Sequence, residues 1–541
     1  MALPTVSSTF LDRIVAWVAP EAGMKRLRAR AGLQMMSGGG YRGGKRGRRA
    51  TQDWQHGAGS ADADLLPDLI DLRGRSRDLA RNNSLATGAV STKMTNVVGS
   101  GLVPRSAIDR QALGLTEEAA TEWESAAQRE FDLAARSMDW TGVQNFYELQ
   151  ALFYRGVLES GDMLVIQRYR RDPGDVYGLK LQAIEADRLS NPGWGMDKDL
   201  DGGGQLAGGV QTNIDGVPVA YHVSDRHPGG LRQKGMTWRT VPARYSDGRR
   251  ICLHLYDRLR EGQTRGVPFL APVIEDLKEL GTYTENEARA AAVASLYTVF
   301  ITTPEAGDGN GAPGAAGGKP VEGSDSDIKL GSGAIVALAP GEEVNIPTAG
   351  RPNPAFDAFV TAFCRQIGVA LNLPYELLIK HFTASYTASR AALEIAWQTF
   401  RVDRTWFTRR CLDPVWELVI EEAVLTGRLK APGFLNDPVR RAAWLGVNWI
   451  GATRISLDPR KEADADKTDM ETGAKTLEQV VIERTGGDWD QKTTQRAKEV
   501  RKRRELGLET DPATVAAQVP GAKAAAAQPE PDEDDPKNED A

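Results

Sequence analysis

Residues 39–45, GGYRGGK, meet the spacing by which a glycine-rich loop turns its backbone amides toward a phosphate. Arg46 follows where a serine or threonine must hold magnesium, and no strand-like run precedes the glycines, so nucleotide hydrolysis is not expected here. The same stretch carries Arg42, Lys45, Arg46, Arg48 and Arg49, cations that suit phosphates or an acidic partner. Asp464, Asp466, Asp469 and Glu471 approach metal-ligand spacing, but they lack the turn glycine of a calcium loop and lie next to lysines in a helical context. A solvated helix face is the expectation. His222 and His227, the one close histidine pair, lie in a strand-and-turn context, which disfavours a metal pair. Cys252, Cys364 and Cys411 are far apart in apolar surroundings and offer neither a disulfide framework nor a zinc cluster. With no G-x-S-x-G elbow and no H-E-x-x-H, the chain displays no catalytic constellation and calls for no cofactor or metal. That absence points to a structural or binding role.

The elements that must position these residues are legible as changes of period. Residues 1–60 open with a short amphipathic helix and run into the Gly/Arg-rich stretch, which has too few large apolar residues to pack and reads as a flexible basic arm. From 65 to 160 the apolar spacing is helical, with Thr116 and the acidic residues after it as a helix start. Between 161 and 260 it changes to short β-rich runs, DMLVIQRYR, LKLQAIEAD, PVAYHVSD and ICLHLYD, separated by turn residues. Together, 61–267 form one helix-then-strand region.

A helix over 268–299 places Val273, Ile274, Leu277 and Leu280 on one face and continues into an alanine-rich run containing Ala288 and Ala291. Its start is marked by Pro268 and Pro272. Residues 304–326 are low in complexity and are flanked by strand-like runs around Phe300/Ile301 and Ile335/Val336, so 300–351 reads as a small β unit bearing a glycine-rich loop. A second helix, 352–373, carries Phe356, Phe359, Phe363 and Ile367 at spacings of three and four. A connector follows over 374–386. Beyond it a helix of some forty residues, 387–430, buries Leu393, Trp397, Phe400, Phe407, Cys411, Val415 and Leu418, with Pro414 expected to bend it. Further helices are expected over 431–510, and a disordered acidic tail over 511–541.

The chain has 541 residues, 41% hydrophobic and 26% charged, which suits a largely folded α+β, mainly helical protein. No window approaches the roughly 18 apolar residues of a membrane span, so no membrane partner is expected. The short apolar stretch around Phe10, Ile14 and Val18 is split by Asp12 and Arg13, unlike a secretory signal, and a cytoplasmic product is the expectation. The net charge of −6 argues against simple coating of nucleic acid.

Seven stretches, in this order, resemble the lambda-like family of tailed-bacteriophage portal proteins: SLATGAVSTKMTNVVGSGL, LESGDMLVI, IEADRLSNP, DGVPVAYHV, EGQTRGVPFLAPVIEDLKELGTYTENEARAA, GVALNLPYELL and ISLDPRKEADADKTDMETGAKTLEQVVIERTGGDW. The resemblance covers about residues 65–510. It implies a portal-type fold with wing, stem, clip and crown regions, assembled as a homo-oligomeric ring, a dodecamer in the virion, around an axial channel for double-stranded DNA of any sequence. On that template 61–267 are wing, 268–299 and 352–373 the stem pair, 300–351 the clip, 374–386 the tunnel loop, 387–430 the wing helix and 431–510 the crown.

The same resemblance implies that terminase large subunit and head-completion proteins dock at the clip, that capsid and scaffold proteins surround the ring, and that ATP hydrolysis belongs to the terminase. The protein would be assembled in the host cytoplasm and reside at the portal vertex of the virion. Lys380, His381, Phe382, Thr383, Ser385 and Tyr386 become the residues expected near DNA. The alanine face and the phenylalanine stripe suit helices that pack against a partner and neighbours. A net acidic chain with sparse cations at the constriction suits passage without a tight grip. Two other readings are a monomeric capsid or tail adaptor and a magnesium-dependent packaging nuclease.

Overall fold

The computed structural model describes residues 57–230, 235–295, 300–302, 343–345, 355–382, 385–454, 458–486 and 489–508. The basic arm (Arg42, Lys45, Arg46, Arg48, Arg49), Ile335, Val336, Thr383 and the acidic tail lie outside them, as do the side chains of Phe300, Ile301 and Tyr386. The helices and strands lie in the unit Ala61–Ala541.

The first half of this unit is built from helices α1 (Leu69–Asn82), α2 (Ser84–Val97), α3 (Glu117–Ala135) and α4 (Phe146–Ser160), with strand β1 (Val103–Ser106) between α2 and α3. The start of α3 is the expected one: the Thr116 hydroxyl accepts from the Ala119 N–H at 3.3 Å, and Glu117 and Glu118 occupy the first turn. A reciprocal cap opens α4, where Asn145 accepts from the Glu148 N–H and Glu148 accepts from the Asn145 N–H.

Strands β2 (Asp162–Tyr169), β3 (Leu179–Ile184), β4 (Lys198–Asp199), β5 (Gln205–Ala207), β6 (Val210–Thr212), β7 (Pro218–Ser224), β8 (Trp238–Pro242) and β9 (Cys252–Tyr256) follow. They form two antiparallel sheets, β3-β2-β9 and β4-β5-β6-β7-β8. The smaller sheet is covered on both faces. Met163 and Val165 point into the main helical core, while Leu164 and Ile166 meet Val210, Tyr221 and Val223 of the larger sheet. Burial on both sides is why β2 reads as a continuous apolar run and not as an alternation.

Helix α5 (Ile274–Ser295) is entered through a 3₁₀ turn at Ala271–Val273. Strands β10 (Phe300–Thr302) and β11 (Glu343–Asn345) pair antiparallel, Ile301 opposite Val344. Among the described residues the strand that pairs with Phe300 and Ile301 is therefore β11, later in the chain than the expected run around Ile335 and Val336. Helices α6 (Phe356–Ala370), α7 (Tyr375–Ile379), α8 (Tyr386–Phe407) and α9 (Asp413–Leu425) come next.

Pro414 does not break the long helix. The five residues Thr408–Leu412 between α8 and α9 adopt π geometry, with the Asp413 N–H reaching back to the Thr408 carbonyl. Widening the turn just before the proline accommodates a ring that has no N–H to donate and that crowds the preceding turn. Phe400, Phe407, Cys411, Val415 and Leu418 are buried as the spacing predicts, and Leu393 and Trp397 pack against the same core.

The residues just after 431 pack with the body. Phe434 and Trp444, the latter ending α10 (Pro438–Trp444), lie in the main core, and β12 (Val447–Ile450) pairs with β1. Trp123 of α3 packs on Trp444 at 4.7 Å between ring centroids. Only then do α11 (Pro459–Glu471), α12 (Leu477–Thr485) and α13 (Trp489–Glu505) follow. Among the described residues no helix is long and apolar enough to cross a membrane.

Candidate functional site

The residues expected to matter for passage and assembly fall on three connected pieces. In the first, α5 and α6 run together: Val273, Leu277 and Leu280 of the α5 region and Ile367 of α6 are buried in the main core. Higher along the pair, rings take over. Tyr283 stacks on Phe356 at 5.8 Å and meets Phe359 at 4.7 Å, and Phe359 meets Phe363 at 4.7 Å. The phenylalanine stripe was legible in sequence, but its partner Tyr283 was not, because a single tyrosine among charged residues gives no periodic signal. Ala288 and Ala291 lie on the exposed side of α5, away from this seam.

The second piece is the connector. Gly368 lets the chain fold back closely: a Cβ there would stand 2.6 Å from the Leu373 carbonyl oxygen, inside contact distance, while the Leu373 N–H donates to the Gly368 carbonyl at 2.8 Å. Residues 375–379, expected as loop, are the helix α7, and its Leu377 and Leu378 are buried in the main core. Lys380 ends that helix in the left-handed conformation, φ +55°, with its N–H and that of His381 both donating to the Glu376 carbonyl. Ser385 caps the start of α8. Lys380, His381 and Phe382 are at least partly exposed, as is Ser385. The exposed residues described on the connector are thus Lys380, His381 and Phe382 after the end of α7 and Ser385 at the start of α8.

The third piece was not found in the sequence. Asp162, at the start of β2, is buried and accepts from Arg73 of α1 at 2.9 Å and from Arg265 at 2.6 and 3.1 Å; its Oδ2 also faces His254 of β9 at 3.4 Å. Arg265 further donates to the carbonyls of Leu189, Gly208 and Ala186 at 2.6, 2.6 and 2.7 Å. Burial alone would push the Asp162 carboxyl up, but the Arg265 and Arg73 guanidiniums hold it well below the usual carboxylate range. Burial lowers His254 despite the neighbouring Asp162 carboxylate and lowers Arg73 to about 10. The backbones of Gly161 and Gly266 pass so closely that a Cβ on Gly266 would stand 2.0 Å from the Gly161 oxygen. Helix α1, both sheets and the segment leading into α5 are therefore tied at one charged node. The signal for it was the string TRGVP after β9, an arginine followed by small and apolar residues shortly before the turn that opens α5.

A parallel tie joins α2 to the long helix. The Lys93 ammonium pairs with Asp403 at 2.6 Å, and the Arg404 guanidinium donates to the carbonyls of Val97, Asn96 and Ala452 at 3.1, 2.7 and 2.8 Å.

Groups with metal-ligand chemistry are already engaged. Glu185, Asp187 and His227 offer ligand atoms within 4.8 Å of one another. Arg77, however, pairs with Asp187 and with Glu185, and Arg73 lies 3.9 Å from Asp187, so the positive charge that an ion would bring is present as guanidinium. His222 faces Gln211 and Thr240, away from His227. Asp466 pairs with Arg484 and with Lys475, and Lys475 also reaches Asp469, so that acidic set is an ion-pair network on α11 and α12. All three cysteines are buried and unpaired.

The geometry is that of positioned helices and buried ties. The family model described as phage portal protein, lambda family, matches residues 47–404. The portal protein of Escherichia phage N15 is 26% identical over 521 residues, covering 92% of this chain and 94% of that protein. Portal protein B of Escherichia phage lambda is 26% identical over 494 residues, covering 87% and 91%. Among solved structures, a chain from the neck of a native gene transfer agent particle, computed with C12 symmetry, aligns with a TM-score of 0.39 and 15% identity over 77% of this chain and 92% of that one.

Proposed function

The chain belongs to the lambda family of phage portal proteins, and on that premise we propose how its parts share the work of a portal. Its function is that of a portal, the head-tail connector of a phage particle. In this reading twelve copies form a ring at one vertex of the capsid. Double-stranded DNA passes along the axis during packaging and again during ejection, without sequence preference. The ring forms in the host cytoplasm against capsid and scaffold proteins; terminase large subunit, which supplies ATP hydrolysis, and later head-completion proteins dock on the clip region 300–351. The protein contributes no catalysis of its own.

The observation that carries this reading is the family match over most of the chain. Two features of the fold support the finer assignments. Ala288 and Ala291 leave a small-residue face of α5 uncovered by the chain's own core, which suits close approach of a neighbouring helix in a ring. Lys380 and His381 are exposed at the capped end of α7, where their side chains can meet phosphates. Sparse cations at a constriction steer the duplex without holding it.

The test is packaging into capsids assembled with substituted portals. Replacing Lys380 and His381 by alanine is expected to leave ring and capsid assembly intact and to slow or arrest DNA entry. Normal packaging with intact assembly would remove the connector from the DNA path.

A further inference from the structure

Helix α13, Trp489–Glu505, has the sequence WDQKTTQRAKEVRKRRE and carries seven cations against three acids. Lys492, Arg496, Lys498, Arg501, Lys502 and Arg503 are all exposed, and their positions cover every side of the helix except the one that carries Trp489, Ala497 and Val500. Arg496, Lys498, Arg501, Lys502 and Arg503 have no acidic partner among the described residues. Cations in the last turn are explained in part by the helix dipole, which favours positive charge there. The dipole does not reach Arg496 or Lys498, further back along the helix. Trp489, Ala497 and Val500 share that one side, where Trp489 and Val500 are half-buried, and the rest of the helix surface is polar, which is favoured by a polar cover or by ion pairs. For those five cations no such pairs are made among the described residues. These five exposed cations make a concentrated positive surface.

The opposite charge is concentrated further along the chain. Residues 509–541 hold nine acids and two lysines, a net charge of −7, so the −6 of the whole chain leaves +1 for everything before them. The net negative charge is therefore carried by residues 509–541. Seven of those acids fall within residues 530–541, EPDEDDPKNEDA. Twenty-four residues separate Glu505 from Glu530. A chain of that length can span up to about 80 Å, against an axial length of about 25 Å for a seventeen-residue helix.

We propose that the acidic segment 530–541 docks on helix α13 of this chain, its carboxylates neutralising the cations there. Tethering makes the encounter intramolecular, and the opposite charges supply the attraction. The N-terminal arm is the other basic stretch, but hundreds of residues separate it from the acidic segment, whereas α13 lies next to it in the chain. The docking does not depend on the portal reading; one consequence does. In a portal, DNA that reaches α13 must displace the segment before it meets the cations, so a basic surface can stand near passing DNA without gripping it.

The experiment is zero-length carbodiimide crosslinking of the full chain with peptide mapping, at about 50 mM and about 500 mM salt, where the screening length falls severalfold. The expected result is crosslinks from Lys492, Lys498 and Lys502 to acids of 530–541 that fade at the higher salt. Tail crosslinks directed chiefly to Lys25 and Lys45, or absent, would overturn the proposal. As a second readout, a chain ending at residue 529 should be cut by trypsin after Arg501, Lys502 and Arg503 severalfold faster than the full chain; equal rates would contradict docking. Adding a short DNA duplex should displace the tail crosslinks. If duplex shields the α13 lysines equally well in both chains and the tail shields none, α13 is a DNA surface and the tail is not its partner. Ring assembly, measured separately on the truncated chain, tells failure of the docking from failure of the portal reading.

Discussion

The guanidinium of Arg265 reaches to 2.6 Å from the Asp162 carboxylate, 103 positions away in the chain, and both side chains are buried. Arg265 stands just before the segment that enters α5, and Asp162 opens the central strand β2. The same carboxylate holds Arg73 of α1. Where α5 begins is thus fixed to the β body by charge as well as by packing.

Removing the carboxylate leaves the buried Arg265 guanidinium with carbonyl partners alone and Arg73 with only Asp187, 3.9 Å away, as an acidic partner. Asp162→Ala is expected to destabilise the protein by about 3–5 kcal/mol, read as a lowered urea midpoint and melting temperature. Replacing Asp162 and Arg265 together by leucine and methionine should cost less than the sum of the single changes. Strict additivity would mean that the pair does not act as a unit.

The same node predicts the direction of acid sensitivity. His254 has its folded pKa lowered by burial below the ordinary value of 6.5, so the unfolded chain binds the proton first and stability falls as pH drops below about 6.5. Asp162 is held well below its ordinary 3.8 by the two arginines after burial is overcome, so its contribution is present above that value and is lost only at lower pH, through the folded pKa. Urea midpoints should decline from pH 7 toward pH 5, and His254→Gln should flatten that stretch while leaving the fall below pH 4. An unchanged slope in the variant would take His254 out of the explanation.

Lys380 combines two properties that substitution can separate. Its left-handed backbone, φ +55°, is strained for a lysine, so Lys380→Gly should keep the fold or stabilise it by up to about 1 kcal/mol. Lys380→Val should destabilise it. If the side chain matters for passage, the glycine variant packages DNA poorly despite its sound fold; equal packaging would assign Lys380 to the cap alone.

Much of this arrangement was legible because it is local. The MLVI run of β2, the Thr116 cap and the stripe from Phe400 to Leu418 each follow from period and end chemistry, and each stands in the structure where the residues put it. The features that stayed hidden depend on partners distant in the chain. Strand β12 is four residues whose mate lies in β1, more than 300 positions earlier, and nothing in VNWI says so. Likewise Asp162 and Arg265 look like ordinary surface charges until tertiary folding buries them together. Residues 375–379 read as loop because a five-residue helix is too short for its period to register; its helical state follows from burying Leu377 and Leu378.

Whether this chain works as a portal ring is read by mass measurement of the purified protein under native conditions, with imaging of the same sample to give its symmetry. The expected result is closed rings of about a dozen subunits around a central hole. A protein that remains monomeric at high concentration, both as the full chain and with its first sixty residues removed, would contradict it.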